Sequence, residues 1–396
     1  MKKTIRDIDV KGKRTIVRCD FNIPLNDKGE ITDETRISST LDTISYLRNH
    51  GAKIILMSHF GRPEGVPNAK YSLRPVAERL SQMLGQEVLF RSVPEVIDDG
   101  IRQAALDLRE GDVMLLENVR FRAGETVNDP VFSKELADLA DIFVNDAFGT
   151  AHRSHSSTTG IAGMLPAVSG LLMESEMNYL ITTLKNPKRP FTAVLGGAKV
   201  SDKIMLIDSM IDKVDTLIIG GGMAYTFLKA LDCEIGKSLL DTERVALAEK
   251  MIKKAVLRGV RILLPVDTVV AKEFSNDVPC SIADADKIPS DSMGLDIGPK
   301  TIELFRKALL NSGTILWNGP MGVFEMSNFA NGTKAVAQAM ADSSAITIIG
   351  GGDSAAAVNQ FGLADQISHI STGGGASLEL LEGKVLPGVA ALEDKI

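Results

Sequence analysis

The sequence predicts an α/β protein of two domains of similar size, each built on a doubly wound parallel sheet. Three observations carry that reading. At 396 residues the chain exceeds what one ordinary core supports, so two domains are expected. Short, near-continuous apolar runs alternate with amphipathic stretches along the chain, the pattern of parallel strands covered by helices on both faces. Three triple-glycine runs, IIGGGMAYTF (218–227), IIGGGDSAAA (348–357) and STGGGASLEL (371–380), all fall in the second half. In the first two, a β-prone run ends in glycine and a helix-like segment follows at once.

In chain order, TIVRCDF (15–21), KIILMS (53–58), VLF (88–90), VMLLEN (113–118) and IFVNDAF (142–148) are the strands expected in the first half. FTAVLGG (191–197), TLIIGGG (216–222), RILLPVD (261–267), TILWNG (314–319) and ITIIGGG (346–352) are those of the second. Between them, RISSTLDTISYLRNHG (36–51), LRPVAERLSQMLG (73–85) and DTERVALAEKMIKKAVLRG (241–259) read as helices, the last closing on Gly259. The segment LPAVSGLLMESEMNYLITTLKNPKRPF carries a helical pattern that ends at Asn186-Pro187 and Pro190, so the domain boundary is placed near 170–190, on one connecting helix. No internal repeat or low-complexity segment interrupts this plan.

Bulk properties exclude several functions. A net charge of −7 with no basic stripe argues against nucleic-acid binding. No stretch approaches the length of a membrane span, and MKKTIRDIDV has no apolar core of a signal peptide behind its lysines. Cys19, Cys233 and Cys280 are far apart and odd in number, which fits a reducing cytosol and neither disulfides nor a zinc site.

The two halves use different chemistry. Glycine turns at strand ends let a ligand approach backbone N–H groups, and a helix starting there directs a positive dipole end at it. The second half therefore reads as a phosphate site assembled from several strand ends. Fourteen of the 19 arginines and four of the five histidines lie before residue 160. Arginine grips phosphate or carboxylate with a planar fork. Arg18 before Cys19-Asp20-Phe21-Asn22, His59-Phe60-Gly61-Arg62-Pro63 after KIILMS, and Arg120 and Arg122 after VMLLEN place such groups where α/β sheets put ligands, at the carboxyl edge.

Individual motifs sharpen this. GGAKVSDK (196–203) is neither a Walker A nor a dinucleotide fingerprint, but Lys199 and Lys203, four apart, read as neighbours on one helix face at a glycine-opened N-terminus. Two such charges disfavour the helix until an anion arrives. Asp353 either caps the next helix with Ser354 or anchors Mg²⁺ beside a phosphate cradle. In WNGPMGVFE (317–325), Trp317 suits the core and Glu325 could accept from a ribose. His152 and His155 lack further ligands in a metal pattern, leaving Arg153 as an anion contact. Asp20 and Asn22, followed by IPLNDKGEI, read as presented by a loop.

Taken together, RCDFN, ITDETRI, MSHFGRP, LLENVRF, NDAFGTAHRSHSS, GGAKVSDK, IIGGGMAYTFL, WNGPMGVFE, GGGDSAAA and STGGGASLE resemble, in order and over the whole chain, the motifs of the phosphoglycerate kinase family. The resemblance implies two Rossmann-like domains facing each other across a cleft. They would comprise 1–172 with a returning tail 382–396, a connecting hinge helix 173–188, and 189–381. It implies a cytoplasmic monomer that transfers a phosphoryl group reversibly from 1,3-bisphosphoglycerate to MgADP. It assigns 3-phosphoglycerate to Asp20, Phe21, Asn22, Arg36, His59, Phe60, Gly61, Arg62, Arg120 and Arg153, with Arg18 a supporting charge. It assigns the nucleotide to Lys203, Gly220, Gly221, Gly294, Asn318, Glu325, Gly350, Gly351, Gly352, Asp353 and Ser354, with Mg²⁺ on Asp353. The migrating phosphoryl group would meet Arg36, Lys199, Lys203 and the amides of Gly373, Gly374 and Gly375. Two rivals are weaker: a dehydrogenase would need the missing dinucleotide fingerprint, and a non-catalytic binding protein would not need Lys199, Lys203 and Asp353 together.

Overall fold

Six strands of the N-terminal half form one parallel sheet: β1 (Arg14–Arg18), β2 (Lys53–Met57), β3 (Val88–Phe90), β4 (Val113–Leu115), β5 (Ile142–Asn145) and β6 (Ala167–Ser169), in the order β3-β4-β2-β1-β5-β6. Ile16 and Val17 of β1 and Ile54 through Met57 of β2 have no exposed surface, so successive side chains are covered on both faces. That double burial is why these strands read as unbroken apolar runs. The register Ile16↔Ile55 and Val17↔Leu56 brings the ends of β1 and β2 level, and β1 pairs equally with β5. Polar loops therefore leave the sheet side by side after Arg18, Met57, Leu115 and Asn145.

The second half repeats the plan with strands β7 (Phe191–Leu195), β8 (Thr216–Ile219), β9 (Glu234–Ile235), β10 (Arg261–Leu263), β11 (Asp267–Ala271), β12 (Cys280–Asp284), β13 (Lys287–Ile288), β14 (Met293–Ile297), β15 (Thr314–Asn318), β16 (Ile346–Ile349) and β17 (His369–Ile370). Six of them make a parallel sheet, β10-β8-β7-β15-β16-β17, the order of doubly wound nucleotide-binding folds. Its switch point lies between β7 and β15, where the chain leaves the sheet at Gly196 and Gly319. Trp317 is fully buried there as a core residue, its indole N–H donating to the Gly319 carbonyl at 2.7 Å. All three glycine runs sit between a strand and a helix: Ala224–Ala230 after β8, Gly352–Gln360 after β16 and Gly375–Leu381 after β17.

Two features depart from the sequence expectation. RILLPVD is split: β10 stops before Pro265, and Asp267 opens β11, which belongs to a separate antiparallel sheet β12-β11-β14. Each large sheet also has a sixth strand, β6 and β17, too short to show any periodicity.

The structure is a computed structural model describing residues 1–395. Its contacts divide the chain into Met1–Asn178 with the segment from Val385 onward, and Tyr179–Lys384. That C-terminal segment is tied to the first unit: Gly388 N–H donates to the Ala151 carbonyl at 2.8 Å and Glu393 N–H to that of Ala167 at 2.9 Å. The final residue of the tail expected at 382–396 lies outside the described residues. The division between units falls within the helix that starts as Leu171–Met177 and continues as a π-helical stretch, Asn178–Thr183. Among the described residues no helix is long and apolar enough to cross a membrane.

Candidate active site

At the end of β1 the chain buries a guanidinium. Arg18 is 1% exposed; its Nε donates to Ser157 Oγ at 2.8 Å, Nη1 bonds the Cys19 carbonyl, and Nη2 lies 3.2 Å from His59 Nδ1. Because a guanidinium can only donate, His59 Nδ1 is the acceptor and the imidazole carries its proton on Nε2. Burial, reinforced by Arg18, Arg120, Arg153 and Arg36, pushes the His59 pKa well below its ordinary value. His59 is therefore neutral, and its 3.9 Å approach to Asp20 is no ion pair.

Asp20 instead pairs with Arg36 through Nη1. Asn22 Oδ1 accepts from Gly61 N–H at 2.8 Å, and the Gly61 carbonyl accepts from Arg120 Nη1 at 2.7 Å. Gly61 has φ of 59°, and a Cβ there would strike the Tyr71 ring, so this crossing point requires glycine. Asp20, Asn22, Gly61 and Arg120 are thus held in one network from three loops. Phe21 and Phe60 point into the core, which leaves only their backbones for a ligand.

Beside this network lies a cavity of about 560 Å³ lined by Arg62, Arg120, Arg122 and Arg153, with Glu64 and His155. Of the residues singled out from sequence, Arg62, Arg120 and Arg153 meet there. Arg122 also lines it but is engaged, with Nη1 2.9 Å from Glu135 and its guanidinium stacked over Phe132. Burial and the neighbouring Arg153, Arg18 and Arg62 lower the Arg120 pKa to about 10. The Arg120 Nε is buried with no hydrogen-bond partner. Glu125, which sequence reasoning passed over, is fully buried beneath the cluster. Its carboxylate accepts from Ser157 N–H at 3.0 Å and Oγ at 2.6 Å, and faces His155 at 3.6 Å. Burial opposes its ionisation, but His155, Arg18 and Ser157 outweigh that and hold its pKa below the usual value. No local pattern in RFRAGET distinguishes this acid from a surface one.

In the second unit the expected pairing of Lys199 and Lys203 on one helix face does not occur. A 3-10 turn, Val200–Asp202, separates them, and the α-helix begins only at Ile204. The glycines before the turn let the chain double back, so Lys199 is extended and exposed while Lys203 folds inward. Lys203 Nζ donates to the Asn318 carbonyl at 2.9 Å and also bonds its Oδ1. Burial lowers its pKa to about 8 against the opposing pull of Asp353 and Asp202.

A second cavity, about 510 Å³, is lined by Gly221, Gly222 and Gly294, by apolar side chains including Leu239, Phe274 and Leu295, and by Glu325 and Asp353. Gly220 lies behind this wall, packed on Met321. At Gly221 φ is 67° and a Cβ would come within 2.7 Å of Gly197 N, so the two glycine turns fit only without side chains. A Cβ at Gly294 would overlap the Tyr225 hydroxyl. On the nucleotide assignment that the family resemblance implies for Gly294, Gly294→Ala is expected to cost about 1–3 kcal/mol in overpacking and to weaken ADP binding at least about tenfold by calorimetry. Unchanged affinity would mean this wall does not face the nucleotide.

The helix Gly352–Gln360 begins from Gly351, at φ 97°, with no side-chain cap. Asp353 is therefore not used as the cap. Ser354 is buried and accepts from Gly319 N–H at 2.6 Å, locking the turn after β15 to this helix start. Gly374 and Gly375 are exposed at the start of the helix Gly375–Leu381, and Gly373 N–H donates to Ser371 Oγ at 3.2 Å. Among the described residues no group of three His, Cys, Asp or Glu forms a metal cluster.

An α/β chain with an arginine-lined anion pocket in one unit and a glycine-walled pocket beside a helix start in the other has the makings of a phosphotransferase. Comparison with known proteins defines which. The family model described as phosphoglycerate kinase matches residues 5–384, and the chain belongs to that family. It is 58% identical over 395 residues to the phosphoglycerate kinase of Clostridium botulinum strain Hall, covering 100% of this chain and 99% of that one. The solved phosphoglycerate kinase of Coxiella burnetii superposes with a TM-score of 0.92 at 43% identity, over 99% of this chain and 98% of that one. That of Pyrococcus horikoshii OT3 gives 0.82 at 33% identity, over 98% of each.

Proposed function

We infer that the chain transfers a phosphoryl group reversibly between 1,3-bisphosphoglycerate and MgADP, giving 3-phosphoglycerate and ATP. The observation that carries this reading is the crowd of guanidinium groups around Arg120, whose buried Nε is without a partner. A fold tolerates such repulsion when an anion completes it. Arg62, Arg120 and Arg153 would grip the phosphate of 3-phosphoglycerate. His59, donating from Nε2, would bond its carboxylate or hydroxyl, and Asp20 and Asn22 would orient the rest. No proton need move at His59, because the attacking ADP oxygen is already ionised.

The nucleotide base would lie against Gly221 and Gly294, its ribose on Glu325 and its phosphates before Lys203 and the amides of Gly351 to Ser354. The Gly350 N–H, which the resemblance included, is instead held by the Trp317 carbonyl at 2.9 Å. The donor set around Asp353 suits Mg²⁺. This ion takes one or two carboxylates plus phosphate oxygens, and a single exposed carboxylate stands at the helix start. Held there with nucleotide, the ion would supply charge neutralisation between phosphates. Asp353→Ala should raise the Mg²⁺ needed for half-maximal turnover about tenfold; an unaltered requirement would place the metal elsewhere.

Phosphoryl transfer asks the protein for in-line placement and neutralisation of the equatorial oxygens rather than covalent help. Arg36, Lys199, Lys203 and the amides of Gly374 and Gly375 are proposed for that task once both ligands are in place; the Gly373 N–H is already held by Ser371 Oγ. The free state of Cys19, Cys233 and Cys280 suits a cytosolic enzyme, and small-molecule partners suffice for a monomer. Formation of ATP from 1,3-bisphosphoglycerate and MgADP tests the reading. ADP binding without ATP formation would reduce the chain to a binding protein.

A further inference from the structure

Tyr225 stands on the helix that follows the first glycine run and lines the same pocket as Gly294. Its hydroxyl sits against Gly294, where any Cβ would overlap it. Behind it the hydroxyl is 2.7 Å from Thr268 Oγ1, and Thr268 Oγ1 donates in turn to the Asp296 carbonyl at 2.7 Å. Each hydroxyl has one proton and two lone pairs. The Thr268 proton is committed to Asp296, so Thr268 can only accept from Tyr225. The Tyr225 proton is thereby committed as well. Burial raises the phenol pKa, so ionisation does not disturb this arrangement. The oxygen has only lone pairs left for the pocket.

We propose that Tyr225 is a specificity-determining residue for the nucleotide, an acceptor that favours a base bearing an exocyclic amino group over one bearing a carbonyl in its place. Adenine is such a base and hypoxanthine its near-isosteric opposite. The proposal rests on reading this pocket as the nucleotide site. The apolar wall of Ala198, Leu239, Phe274 and Leu295 cannot tell the two bases apart. Lys237 also lines the pocket, is solvent-exposed, and as a donor would favour the carbonyl. The two residues therefore make opposite predictions.

The test compares kcat/KM with MgADP and MgIDP for the whole chain, with the melting temperature as a check on folding. The wild type should prefer ADP about tenfold or more, since one satisfied hydrogen bond is exchanged for facing acceptors. Tyr225→Phe should bring that ratio down about tenfold, the effect falling on the KM for ADP. Thr268→Val leaves the Tyr225 proton free to turn toward the base, so the IDP value should rise and the ratio fall. A folded Tyr225→Phe protein with an unmoved ratio would overturn the proposal, as would a ratio that moves only in Lys237→Met. Should Tyr225→Phe fail to fold, Thr268→Val decides alone: better use of IDP supports the proposal and an unchanged ratio overturns it. A wild type whose ADP affinity is untouched by Gly294→Ala would fail earlier, at the assignment of the pocket itself.

Discussion

Arg36→Ala should lower kcat by about 10²–10³ while each KM stays within about threefold, the pattern of a donor whose contact matures only as charge develops. Arg36 is half-exposed, paired with Asp20 through one nitrogen, and the remainder of its fork is free to meet an anion. Its loss would leave Asp20 facing the neutral His59 with its partner gone, so some loss of 3-phosphoglycerate affinity accompanies the main effect. Arg36→Lys should restore little, because a point charge cannot reproduce a planar fork. Steady-state kinetics in both directions read this out. A raised KM with intact kcat would reduce Arg36 to a binding residue.

Lys203→Met should raise the KM for MgADP by about ten- to a hundredfold, the range for losing hydrogen bonds to a charged group, and leave 3-phosphoglycerate affinity nearly intact. The residue also predicts a proton linkage. With its pKa lowered to about 8, free Lys203 loses its proton as pH rises past that point. A bound phosphate favours the ammonium, so ADP binding above pH about 8 should take up a proton and weaken as pH climbs. Calorimetry in buffers of different ionisation enthalpy measures the uptake, which Lys203→Met should abolish. For the ligand-free fold the sign is opposite. Between about 8 and the ordinary lysine value the unfolded chain binds more protons, so Lys203's contribution to stability increases with pH across that window.

Much of the fold was legible because parallel strands buried on both faces leave little room for polar residues; β1, β2, β4, β7 and β15 announce themselves that way. β6 and β17 did not, since a strand of two or three residues at a sheet edge has no period to detect. The antiparallel sheet was hidden for another reason. Its strand β12 is largely exposed, and β11 abuts β10 across Pro265 in one apolar run. Gly294, on β14, therefore entered through family resemblance rather than pattern. At the sites, arginines before and after strand ends were visible as types out of place. Glu125 and the Tyr225–Thr268–Asp296 chain were not, because only folding joins residues so far apart. Lys199 and Lys203 show the converse error: helical spacing was assumed through a segment that the glycines of GGAK turn out of the helix.

A crystal structure with 3-phosphoglycerate and MgADP bound together tests the central claim most directly. The account predicts the phosphate of the acid on Arg62, Arg120 and Arg153, with Arg120 Nε newly bonded. It places the base on Gly221 and Gly294, with the nucleotide phosphates before Lys203 and Asp353. Both ligands in one unit, or an acid that leaves Arg120 Nε unbonded, would contradict it.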